Sequence, residues 1–507
     1  MAFLVSCSVA AASWMTFGGD SQRSNWAKDE TLISPETVKN LQLLWKLKLD
    51  NQPKYLDSLT SPVVINPVYT NQGAETYVAV GGSSDNLFVI DADTGKIVWQ
   101  KHFTNEAKPP AGGMTSTYFC PDALNDTPVI ETSDAGPTVY VISIDGKLHA
   151  LNLITGDERF AKDFVPAYSK NWSLNVSGDV LYTTTSQNCR QSKSGVFAMD
   201  LKSPDKTVSF FQSSPVGAGI WGRGGASIGT SGAVFAATGD GPVDAAGGKY
   251  ADTVLKLSPK DLKLLDYFTP ENAPYLTRKD LDMGNTTPVV FPFKGRELVV
   301  ATGKEGDLFL LDAASLGGDT HRKPMYRSPL YTNAGADIAG KGFWGAFGTW
   351  EDGKGTRWLY APAWGPVNPA VPGFPVTNGP IPDGSIMAFK VEEKDGQPTL
   401  TPAWSSRDMA LPEPPVIANG VVFSISSGEF TRQFSESGQL YTAEQRIAKA
   451  IGNATLYAFD ALTGKELFSS GKAMTSFTHF GGLAVSDGRV YCTTFDGTLY
   501  AFGLKGE

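Results

Sequence analysis

Apolar and polar residues alternate along this chain in short runs closed by turn signals, and one such phrase keeps returning. From Leu456 to Phe468 it reads LYAFDALTGKELF, and from Leu87 to Trp99 it reads LFVIDADTGKIVW. At Leu499–Gly503, LYAFG starts the phrase and does not finish it. Period-two alternation over so few residues is a strand pattern. The Thr-Gly-Lys between the halves is a hairpin turn, its Gly free to take the positive φ that a tight turn needs. Aligned on its first residue, the phrase begins at Leu87, Leu148, Val196, Val254, Leu308, Ile386, Leu456 and Leu499. Each interval leaves room for four strands with their loops.

Two more strands precede each copy. GGLAVSDGRVYCTTFDGTLYAFG contains them, at Gly481–Val485 and Arg489–Phe495, and PPVIANGVVFSISSG and TTPVVFPFKGRELVVATGKEGDLFLLD follow the same plan. With the strands of a unit named A to D, eight repeats of four antiparallel strands predict an all-β, eight-bladed β-propeller. The eighth unit lacks strand D. An apolar run ending in Asp, LQLLWKLKLD at Leu41–Asp50, supplies it from the other end and closes the ring, removing the open edges of an unclosed sheet. The competing architectures are an open solenoid and two sandwiches.

Residues 1–16 are expected to be a signal-like or disordered segment and 17–507 one propeller. AFLVSCSVAAASW resembles the end of a secretory signal, which predicts a periplasmic or secreted protein, and Leu4-Val5-Ser6-Cys7 resembles a lipid-attachment box. A formal charge of −9 disfavours nucleic acid as a partner. No apolar run approaches the roughly 20 residues of a membrane-spanning helix. Of four cysteines, Cys492 reads as strand interior, while Cys120 precedes an A strand and Cys189 follows a B strand. That pair is expected to form a disulfide, two free thiols being the alternative.

Loops from D to the next A, and from B to C, leave the ring on one face, so residues just before A and just after B converge there. The fourth unit offers Trp221 and Arg223 before A and Asp240 after B. The fifth offers Asp280 and Asp282 before A and Lys304 after B, and the third offers Gln187 and Cys189 after B. An indole, carboxylates and a cation on one face suit a flat polyanion and a hard metal ion. Packing of Trp221 between blades and turn capping by the three Asp are the plainer readings. The Pro/Gly-rich stretch Pro366–Pro382 is expected to cover one mouth of the ring.

The repeat resembles the pyrroloquinoline quinone (PQQ) repeat, AxDxxTGxxxW, over residues 17–507, including the opening FGGDSQRSNW. The resemblance to PQQ-dependent alcohol and polyvinyl-alcohol dehydrogenases implies stacking of the quinone on Trp221, with Arg223 and Lys304 as further cofactor contacts. It implies Ca²⁺ held by Asp240 and Gln187, a general base at Asp282 or Asp280, an alcohol or sugar substrate, and a separate electron acceptor such as a cytochrome c. Three family features are missing. No carboxylate stands in Ser186-Gln187-Asn188-Cys189, no Cys-Cys pair occurs, and no Cys-x-x-Cys-His provides a c-type haem. They favour the alternative, a non-catalytic binding or scaffold propeller.

Overall fold

The computed structural model describes residues 12–105, 107–115, 117–338, 340–429 and 433–504. The lipid-box residues Leu4–Cys7 lie outside them. Eight antiparallel sheets form the ring, blade 1 being Val63–Thr70, Gly73–Gly82, Asn86–Asp91 and Lys96–His102. The leading residue of all eight repeat phrases sits in a C strand and is fully buried. B and C strands have a neighbouring blade on each side, so apolar residues there bury both faces. D strands face out and alternate.

Blade 8 consists of Leu483–Ser486, Arg489–Thr494 and Thr498–Leu504, completed by Leu41–Lys48, which pairs antiparallel with Thr498–Leu504. The unfinished repeat is thus finished by the N-terminal strand.

The recurrent Gly and Trp have a shared cause. Trp45, Trp99 and Trp404 each reach from a D strand to the C–D turn of the following blade. Their indole N–H groups donate to Ala92 O (2.8 Å), Leu153 O (2.8 Å) and Ala461 O (2.9 Å). Each ring lies flat on the turn glycine, Gly95, Gly156 or Gly464, where a Cβ would overlap it. The Asp of the phrase is structural, as Asp460 Oδ1 accepts from the backbone N–H groups of Leu462 (3.0 Å) and Thr463 (2.9 Å).

The opening segment winds around the inner ring. Trp14 exchanges two backbone hydrogen bonds with Val64 of blade 1, and Met15 O accepts from Ile130 of blade 2. Ser21 O accepts from Ile228 in blade 4, Gln22 O from Val290 in blade 5, Ser24 O from Thr349 in blade 6 and Asn25 O from Ile417 in blade 7. Thr16 reaches Leu174 O beside blade 3 through its hydroxyl (3.0 Å), and Ala12 O accepts from Ser486 of blade 8. This collar satisfies the inner edges of the A strands. Among the described residues the packed body already includes Ala12 and Trp14, ahead of residue 17, Trp14 being buried against Gly19.

Pro366–Pro382 does not close the axial mouth. Its Val376–Thr377 adds a parallel strand beside Trp404–Ser405 at the outer edge of blade 6, and Phe374 packs on Tyr331 and Phe389. The mouth is bordered by the blade 7 insert after Val421–Ser426, which contains the short helix Ala443–Ala448. Among the described residues no helix is long and apolar enough to cross a membrane.

Candidate functional site

Loops before A strands and after B strands meet around a cavity of about 430 Å³ on one face of the ring. Trp221 precedes Ser227–Ile228 of blade 4, and Asp240 follows Val234–Ala237. Asp280 ends helix α1 (Ala273–Lys279) and Asp282 follows it, ahead of Val289–Phe293 of blade 5, while Lys304 follows Arg296–Thr302. Trp344 and Trp364 come from the matching positions of blade 6, and Gln187 follows Val180–Ser186 of blade 3. All of these side chains border the cavity.

Its aromatic wall is built from three indoles. Trp344 and Trp364 stack at 4.3 Å and 7° between planes, and Trp221 meets Trp344 edge-on at 5.5 Å. Lys304 Nζ stands 5.2 Å from the Trp221 ring and 5.5 Å from that of Trp344, within cation–π reach of both. The same ammonium is 2.7 Å from Asp282 Oδ1 and 2.9 Å from Asp280 Oδ1. Asp282 Oδ2 accepts from Trp221 Nε1 at 2.9 Å, so both of its oxygens have partners.

One oxygen each of Asp240, Asp280 and Asp282 lies within 4.8 Å of the others. Burial pushes the Asp282 carboxyl up to about 6; Lys304 opposes this, and Asp280 and Asp240 add to it. Burial also raises Asp240, with Asp280 adding and Lys304 opposing. Burial acts to lower Lys304, but the two carboxylates more than offset it and keep the amine charged. Beneath the trio, Asp252 accepts from Thr277 Oγ1 (2.6 Å) and Met283 N (3.2 Å), and burial pushes its carboxyl up to about 8.

Arg223 is not brought to the cavity. Gly222, Gly224 and Gly225 fold the segment after Trp221 tightly against Thr286–Thr287 and Ser173. The guanidinium turns into the axis, pairs with buried Glu413 and lies 3.9 Å over the Phe480 ring. Cys120 and Cys189 are joined in a disulfide with Cα atoms 5.4 Å apart, tying the loop before blade 2 to blade 3 beside Gln187.

Several lining residues lay outside the expected set. Lys170 and Arg446 add cations: Lys170 Nζ donates to Tyr118 O (3.2 Å) and sits 5.4 Å over the Trp172 ring. His479 and Phe480, before strand A of blade 8, border the cavity as well. His479 Nδ1 lies 2.7 Å from Glu429 Oε2, and Glu429, after strand B of blade 7, also pairs with Arg446.

No protein-family model and no curated protein sequence matches this chain. Solved structures do. The quinohemoprotein alcohol dehydrogenase from Comamonas testosteroni matches with a TM-score of 0.61 at 15% identity, covering 99% of this chain and 82% of its own. A europium-containing methanol dehydrogenase matches with a TM-score of 0.62 at 12% identity, covering 97% and 98%. What the chain shares with them is the eight-bladed β-propeller fold. Another quinohemoprotein alcohol dehydrogenase, ADHIIG from Pseudomonas putida HK5, matches with a TM-score of 0.60 at 13% identity over 98% of this chain and 81% of its own. Identities this low establish the architecture and leave the chemistry to the residues of the cavity.

Proposed function

We propose that the cavity binds a flat, anionic quinone of the PQQ class with a divalent cation, and that the protein oxidises an alcohol or a sugar, passing electrons to a separate acceptor. The observation that carries this reading is the convergence of Trp221, Lys304 and the Asp240–Asp280–Asp282 trio in one cavity. The donor set fits the cofactors. Three carboxylates against one ammonium leave surplus negative charge, and carboxylate with amide oxygen is the donor chemistry of Ca²⁺. Asp240, Asp280 and Gln187 would hold the ion, the indoles would receive the ring system, and Lys304, Lys170 and Arg446 would meet its negative groups. Bound there, the quinone supplies a two-electron acceptor for an alcohol carbon. Asp282 holds the Trp221 indole and the Lys304 ammonium in place through its two oxygens. The blade 7 insert, with Gln433, Phe434 and Arg446 at the cavity edge, limits water access.

The Cys120–Cys189 disulfide suits an oxidising compartment, which supports the periplasmic or secreted reading. One observation favours a propeller without cofactor chemistry: the Lys304 ammonium already pairs with two of the three carboxylates. The test is titration of the purified protein with PQQ and Ca²⁺, read by quinone absorbance, followed by dye reduction with a panel of alcohols and sugars. Saturable Ca²⁺-dependent binding, lost in Trp221→Ala, supports the reading. No binding at either pH 6 or pH 8 favours the scaffold.

A further inference from the structure

We infer that His479, oriented by Glu429, is the general base that takes the hydroxyl proton of the substrate; this rests on the reading of the cavity as an alcohol-oxidising site. The imidazole borders the same cavity as Trp221 and Lys304. Its Nδ1 faces Glu429 Oε2 at 2.7 Å, and Nε2 has no hydrogen-bond partner among the described residues.

Glu429 is fixed from its other side, Oε1 pairing with the Arg446 guanidinium. Burial pushes the Glu429 carboxyl up, but His479, Arg446 and Arg223 more than offset this and hold it below its ordinary range. An ionised carboxylate only accepts, so in the neutral ring the proton sits on Nδ1 and the lone pair on Nε2. A carboxylate behind an imidazole sets the tautomer and stabilises the imidazolium that proton transfer creates.

The backbone is built to hold this ring. Phe480 has φ 58°, a left-handed conformation that a bulky side chain adopts at a cost of about 1–2 kcal/mol. It places the phenyl ring under the imidazole at 3.9 Å and 23° between planes. Flanking contacts tie the loop down on both sides. Thr478 N donates to Ser427 O (3.0 Å) and Thr478 Oγ1 to Thr493 O (2.9 Å), while a Cβ on Gly481 would lie 2.9 Å from that same carbonyl.

The competing carboxylates are less available. Asp282 has both oxygens engaged, Asp280 shares one with Lys304, and Asp240 completes the acidic trio. The charged groups around His479 are Glu429, Arg446, Glu413 and Arg223, with Asp240, Asp280, Asp282, Lys304 and Lys170 also bordering the cavity. In the proton step the alcohol O–H bond breaks, an Nε2–H bond forms, and Glu429 balances the new positive charge.

The experiment compares wild type, His479→Gln and Glu429→Gln by PQQ/Ca²⁺ binding, dye reduction with alcohols and sugars, and ¹⁵N NMR of the imidazoles, of which the chain has 4. Both variants are expected to bind the quinone as wild type does and to lose roughly 10²–10⁴-fold in kcat with KM little changed. The wild-type spectrum is expected to show His479 as the Nδ1–H tautomer, a signature lost in Glu429→Gln, whose amide can donate to Nδ1. Full kcat in His479→Gln, or an Nε2–H ring in wild type, overturns the inference alone. Wild type that binds no quinone overturns the earlier reading and this one with it. Wild type that binds the quinone but turns over no substrate of the panel overturns the inference, because no hydroxyl proton is then taken.

Discussion

Trp404 and Gly464 allow the joint between blades to be tested as a pair. The indole is fully buried, donates to Ala461 O at 2.9 Å, and lies on the turn glycine of the next blade. Truncating such a Trp to Ala costs about 3–5 kcal/mol. Trp404→Phe keeps most of the ring, and Ala461 O still accepts from Tyr360 Oη at 3.1 Å, so the loss is about 1–2 kcal/mol. Gly464→Ala has two costs. Its φ is 69°, worth about 1–2 kcal/mol for a residue with a Cβ, and the added methyl overlaps the indole, worth about 1–3 kcal/mol more. In Trp404→Ala most of that overlap disappears, leaving the backbone cost and a contact with the Asn378 amide at 2.9 Å. The double variant should therefore be more stable than the sum of the singles by about 1–3 kcal/mol. Guanidinium unfolding followed by circular dichroism measures this, provided the m-values agree. Additivity within about 0.5 kcal/mol, or a Phe variant as damaged as the Ala variant, would refute the stacked joint.

The other predictions concern the site and its supports. Cys120→Ser/Cys189→Ser opens a loop of 69 residues' separation and should cost about 4 kcal/mol by chain entropy, read as a lower denaturant midpoint in the doubly substituted protein. Lys304→Met leaves Asp282 buried without its cation and should destabilise by about 3–5 kcal/mol at pH 8. That penalty should shrink at pH 5, where Asp282 takes up a proton; equal losses at both pH values would contradict the ion pair. The Asp252 carboxyl is raised, so the fold favours its protonated form. Its contribution is fully present below the ordinary Asp value near 4 and is lost as pH rises through about 8. Asp252→Asn keeps an acceptor for Met283 N and leaves Gly241 O, 3.0 Å away, to accept from the Thr277 hydroxyl, and should gain stability over wild type at pH 8 but not at pH 4.5, measured by unfolding midpoints.

The ring was legible because each repeat carries its own reason. The Gly of the turn exists for the neighbouring Trp, and the lone strand at Leu41 matches the gap at the other end. The convergence of Trp221, Asp240, Asp280, Asp282 and Lys304 was legible from strand order alone. The same rule reaches Glu429, directly after strand B of blade 7, and His479, directly before strand A of blade 8, in SISSGEF and SFTHFGG. They lie outside the third, fourth and fifth units, whose loops alone carry the indole, the acidic trio and the lysine that mark the site in the sequence. Arg223 was misdirected for another reason. Two residues from Trp221, it was assigned the same direction, but the glycines around it break strand alternation and send it into the axis. The Pro/Gly stretch misled because composition marks irregular chain without saying where it goes.

The collar has a temporal consequence. Its residues meet blades 1 to 7 in the order in which both are translated, from Trp14 through Thr16 and Ser21 to Asn25. A nascent chain thus carries its own winding template, against which each emerging sheet can be indexed. The final latch is made late, because Leu41–Lys48 waits about 450 residues for Thr498–Leu504. At ribosomal speeds of about 5–20 residues per second, that wait is on the order of half a minute or more. Lys46 and Lys48 along the waiting strand are the kind of charge that keeps an unpaired edge from recruiting a stranger.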